Sequence, residues 1–143
     1  MKDRLVTIIK LATSFGLMWG LGYLAHQQFP WWITSVVAAG VCFFVPIKNI
    51  QSFAMGTLAF SILWGMQAYN LSAMNMDLLA TKMGELLGGF KPIELVYATS
   101  LMGGFLGGFG AMTGSSLRQI FFPMGKKEKA IVQNSTMAKE IVS

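Results

Sequence analysis

The run from Ser100 to Ser116 constrains this chain more than any other stretch. It reads Ser-Leu-Met-Gly-Gly-Phe-Leu-Gly-Gly-Phe-Gly-Ala-Met-Thr-Gly-Ser-Ser. On a helix it lays down two stripes of tiny side chains. One holds Ser100, Gly103, Gly107, Gly110 and Gly114; beside it lie Gly104, Gly108, Ala111 and Ser115. In water each helical glycine costs about 1 kcal/mol relative to alanine. In lipid the backbone has no other hydrogen-bond partner, so the helix persists and the missing side chains become a groove for a second helix. These nine residues are the expected helix-packing interface.

Composition agrees with a membrane setting. Only 12% of the 143 residues are charged and 54% are hydrophobic, against about 25% charged in soluble domains. The length suits one compact unit. Four apolar segments are expected to span a bilayer, at about 5–25, 31–47, 53–69 and 93–117. The expected fold is therefore all-α, an integral four-helix membrane bundle occupying 1–123, with a basic cytoplasmic tail at 124–143. The first segment is read as a retained helix, because Gln27-Gln28-Phe29-Pro30 is a poor processing site. Pro30 suits a helix start, and Pro46 with Lys48 stops the second segment. Ser35, Ala38 and Ala39 give that segment a small face; Thr57, Ser61, Gly65 and Ala68 do the same for the third.

Between the third and fourth spans, Met76 to Leu87 reads as a short amphipathic interfacial helix capped by Asn75. Met76, Leu79, Ala80, Met83 and Leu87 share one face, opposite Asp77, Thr81 and Glu85. Basic residues set the orientation. Lys2, Arg4, Lys10, Lys48, Arg118, Lys126, Lys127, Lys129 and Lys139 fall on one side, and only Lys82 and Lys91 on the other. That bias places both termini in the cytoplasm. Tyr23, Tyr69, Tyr97, Trp31 and Trp32 then gather at the outer interface.

Chemistry is sparse. No Asp, Glu or His falls within a span away from its ends, so the intramembrane acid that marks a proton-coupled exchanger is missing. The single Cys42 and single His26 offer no metal set. Thr113-Gly114-Ser115-Ser116 has no base at its depth, so its hydroxyls are expected to bond their own helix carbonyls. The 11 methionines are read as adaptable packing residues. No catalytic residue, cofactor, metal or nucleic acid is expected.

Pro30-Trp31-Trp32, Trp64-Gly65, Asn70, the glycine pairs 103–104 and 107–108, Thr113-Gly114-Ser115 and Arg118 together resemble a family of small uncharacterised four-helix bacterial inner-membrane proteins. The resemblance implies four helices and a bacterial inner membrane, and brings no activity. The sequence reading is thus a non-enzymatic structural or accessory subunit that self-associates, or docks into a larger membrane complex, through its glycine-rich fourth helix. The alternative is a small oligomeric channel or transporter lined by Ser100, Thr113, Ser115 and Ser116.

Overall fold

The computed structural model describes residues 2–122, so the expected tail at 124–143 lies outside the described residues. The described residues form five α-helices and no strand: α1 (Lys2–His26), α2 (Ile33–Phe44), α3 (Asn49–Met74), α4 (Leu78–Leu86) and α5 (Pro92–Phe121).

Three helices run longer than the apolar segments that announced them, and one is shorter. α3 begins at Asn49 and ends at Met74 instead of spanning 53–69, because Lys48 and Asn75 supply the breaks rather than the ends of the apolar run. α5 continues past Leu117 to Phe121, and α1 reaches His26. α2 has only 12 residues, about 18 Å at 1.5 Å per residue. Its backbone turns extended at Val45, since Pro46 disfavours a helical conformation in the residue before it. The connection before α2 is wound more tightly, with Ile33, Thr34 and Ser35 donating to the carbonyls of Pro30, Trp31 and Trp32.

The expected start of the loop helix at Met76 is corrected to Leu78. Met76 and Asp77 both take positive φ, 52° and 58°, which breaks the helical path. Asp77 rather than Asn75 sits at the cap position, and its carboxylate accepts from Ser72 Oγ at 2.7 Å. α4 ends where Gly89 and Phe90 both donate to the Gly84 carbonyl. Gly88 and Gly89 hold φ of 106° and 89°, a region open to glycine at little cost.

The helices alternate in direction. Ser35, Ala39 and Phe43 of α2 meet Gly110, Gly114 and Arg118 of α5 in the same order, so these two helices run parallel. Gly65, Ser61 and Thr57 of α3 meet Ser100, Gly104 and Gly108 in reverse order, so α3 and α5 are antiparallel. Gly22 and His26 of α1 meet Phe60 and Trp64, which makes α1 parallel to α3. The core is built from Met18, Ala38, Val41, Cys42, Ala59, Phe60, Leu63 and Ala111, with Phe60 fully buried at its centre.

Among the described residues two helices are long and apolar enough to cross a membrane, Arg4–His26 and Pro92–Phe121. α2 is apolar but shorter. α3 has the length, but Gln51, Ser52, Gln67 and Asn70 dilute its apolar content.

Candidate functional site

The glycine-rich face of α5 packs closely along its length. Gly103, Gly104, Gly107, Gly108, Gly110, Ala111, Gly114 and Ser115 are all buried. Ser100, at their N-terminal end, donates its hydroxyl to the Ser61 carbonyl at 2.6 Å. All nine residues expected to form the packing interface therefore lie on one helix, and contacts to the rest of the chain run along its length.

The partners divide between two helices. A Cβ built on Gly103 would sit 2.7 Å from Trp64 Cβ, and one on Gly107 would sit 2.8 Å from the Gly56 carbonyl oxygen. On Gly104 it would meet Ser61 Oγ, and on Gly108 Thr57 Oγ1. These four glycines face α3. Gly110 and Gly114 face α2, where a Cβ would lie 2.7 Å from the Cα of Ser35 and of Ala39 respectively. Ordinary carbon contacts begin near 3.4 Å, so none of these positions has room for a methyl group. The expectation that this groove receives a second copy thus meets α3 and α2 of the same chain already seated in it.

Polar groups tie the two ends of the groove. At one end, Asn49 at the start of α3 is the hub. Its Nδ2 donates to Ser116 Oγ at 3.1 Å, and its Oδ1 accepts from Ser115 Oγ at 3.0 Å and Gln119 Nε2 at 2.5 Å. Arg118 reaches across to α2 and donates to the carbonyls of Phe43 and Phe44, at 2.7 and 3.2 Å. These are last-turn carbonyls of α2, which lack intrahelical partners and carry partial negative charge. Arg118 therefore caps the short helix as well as marking where α5 leaves the apolar zone. The Ser35 hydroxyl donates to the Leu106 carbonyl at 3.1 Å, a further α2–α5 link.

The other end holds a hub that the sequence reading did not single out. Thr34, fully buried, accepts from the Trp64 indole N–H at 3.1 Å and pairs with His26 Nε2 at 2.9 Å. His26 and Trp64 also stack edge to face, 5.9 Å apart. Three elements meet here, and the only signals in the sequence were His26 just past the first apolar segment and Thr34 near the start of the second.

Among the described residues no three His, Cys, Asp or Glu side chains gather into a cation site. Thr113 bonds the Phe109 carbonyl of its own helix at 2.8 Å, and Ser115 bonds that of Met112 at 3.0 Å. This geometry serves close packing and polar closure of helix ends. Comparison with protein-family models, curated proteins and solved structures finds no match.

Proposed function

We propose that this chain is a non-enzymatic multi-pass protein of a bacterial inner membrane, acting as a structural or accessory subunit that self-associates or docks into a larger complex. The observation that carries this reading is the helix sandwich itself. α5 buries a backbone-lined face against α3 and α2, while Leu101, Met102, Phe105 and Phe109 on its other side stay exposed. That inside-out arrangement, with small residues within and large apolar ones without, is what lipid solvation favours. Four alternating segments, 5–25, 31–47, 53–69 and 93–117, then cross the bilayer, both termini facing the cytoplasm. α3 turns Ser52, Gly56, Ala59 and Phe60 inward, while Leu58, Ile62 and Met66 stay exposed on its other side. α2 crosses with the help of its flanks, and Arg118 satisfies the carbonyls its short length leaves at membrane depth. α4 lies in the outer interface, with Leu78, Leu79 and Leu86 exposed to acyl chains.

The groove on α5 is filled from within, so contact with a second copy falls to small residues still unoccupied. A Cβ on Gly16, Gly20 or Gly40 would meet nothing within 4 Å. Gly16 and Gly20 are four residues apart on α1, the spacing that lets two helices approach closely in lipid. The native mass of the purified protein tests this. A multimer that Gly16→Leu with Gly20→Leu reduces to a monomer is expected; a monomeric wild type, or an unchanged multimer in the double variant, removes the self-association reading. The alternative of a small oligomeric channel or transporter has less behind it, because Ser100, Thr113 and Ser115 already engage their hydroxyls in hydrogen bonds within the chain.

A further inference from the structure

A cleft of about 520 Å³ opens beside the Thr34 hub, between the C-terminal end of α1, the middle of α3 and the first turns of α5. Its volume falls in the range of small-molecule sites, about 300–1,000 Å³. Tyr23, Phe29, Trp31 and Trp64 supply aromatic walls. Gln27, Gln67, His26 and Thr99 supply the polar part of the lining, and among the described residues no Asp, Glu, Lys or Arg lines it.

Two features narrow what could bind. The absence of a charged wall residue disfavours an ionic ligand, whose desolvation would go uncompensated. The inner wall is also fixed before any ligand arrives: Trp64 is held by its N–H on Thr34, and His26 by its Nε2 on the same hydroxyl, while Trp31 at the mouth is exposed. Among the described residues the side-chain amides of Gln27 and Gln67 have no hydrogen-bond partner, while the Gln27 backbone N–H donates to the Leu24 carbonyl, so both side-chain N–H groups stay available. Aromatic faces with amide donors at the rim suit a flat, uncharged ring that carries carbonyl acceptors.

We propose that this cleft binds the ring of a lipid-soluble quinone, stacked against Trp31 and Trp64 and hydrogen-bonded through its carbonyl oxygens by Gln27 and Gln67. This rests on the membrane reading above, which puts the cleft at the level of the outer aromatic residues, where such rings partition. The role is binding alone; no electron transfer is implied.

The test uses full-length protein in lipid nanodiscs, with menadione and a short-chain ubiquinone as probes and tryptophan emission as readout. Saturable quenching is expected. Gln67→Leu and the exposed-rim Gln27→Leu should each weaken it by roughly fivefold, as loss of one hydrogen bond implies. Ala68→Phe, which fills the cleft, should abolish saturation, and the outward-facing Phe105→Leu should leave it unchanged. Linear quenching without saturation, or equal midpoints in wild type, Gln27→Leu and Gln67→Leu, overturns the proposal. So does saturable quenching or protection by a quaternary ammonium probe when neither quinone binds saturably. Alkaline carbonate extraction of the host membranes separates the two readings. Protein retained in the membrane with no saturable quinone binding sinks this inference alone, and protein released into solution sinks both.

Discussion

Gly56→Ala is the sharpest probe of how this molecule holds together. The substitution adds one methyl group on α3. That group would lie 2.5 Å from the Gly107 carbonyl oxygen and 2.7 Å from Ala111 Cβ, where ordinary contact begins at 3.4 Å. Both obstacles belong to α5 backbone or to its shortest side chain, so neither can swing aside. The helices must part locally by about 0.9 Å, the gap between 2.5 and 3.4 Å. A separation of that size forfeits roughly a quarter to a half of each dispersion contact across the interface. Overpacking of this kind costs about 1–3 kcal/mol. It also strains the 2.6 Å bond from Ser100 Oγ to the Ser61 carbonyl, about two turns along the same seam. Reversible unfolding in mixed micelles titrated with a denaturing detergent would measure the loss. The matched controls are Gly16→Ala and Gly40→Ala, where the new methyl meets nothing of its own chain within 4 Å; at one protein copy per micelle these should be neutral or slightly stabilising, since alanine favours the helix. If Gly56→Ala unfolds at the same point as the controls, close approach of α3 and α5 does not stabilise the fold and the packing argument fails.

Other outcomes follow from single contacts. Arg118→Ala should destabilise by about 1.5–3 kcal/mol, the range for a hydrogen bond from a charged donor, and Arg118→Lys should recover only part, because one ammonium cannot match the guanidinium's reach to both Phe43 and Phe44; the same micelle unfolding reads both. Thr34→Val keeps shape but strips Trp64 and His26 of their shared partner, and should cost about 1–3 kcal/mol for polar groups left unpaired with a shift in tryptophan emission. Cys42 is fully buried, so a maleimide should label it only after the fold is opened by denaturing detergent; rapid labelling of the native protein would contradict the packing of α2.

The glycine run announced its own role because close packing requires small residues at helical spacing, and that requirement is local. Ser35 and Ala39 on α2, and Thr57, Ser61 and Gly65 on α3, were legible as small faces for the same reason, and they are the residues that meet α5. What the run could not say is whose helix would fill it. Stripes of equal depth serve a neighbour in the same chain or in another copy, and only the fold shows α3 and α2 in place. Gly56 escaped notice because it sits one residue before the Thr57 stripe and lacks a small residue four positions on; Phe60 stands there, folded against Gly107. Helix ends were misplaced wherever backbone geometry outweighed hydropathy, as at Val45 before Pro46 and at the left-handed pair Met76-Asp77. The Thr34 hub went unread because only the fold brings Trp64, 30 residues on, against the His26–Thr34 pair.

Because α3 is dilute in apolar residues and α5 supplies the surface that shields it, biosynthesis faces an ordering problem. The segment that most needs cover is made before the segment that covers it. On the membrane reading proposed above, a nascent chain ending ahead of Pro92 would hold Thr57 and Ser61 against lipid with no glycine backbone beside them, and would depend on insertion machinery to wait. Mature assembly is therefore set by the arrival of the last helix, and truncations that remove it should be cleared by proteolysis rather than persist as three-helix proteins.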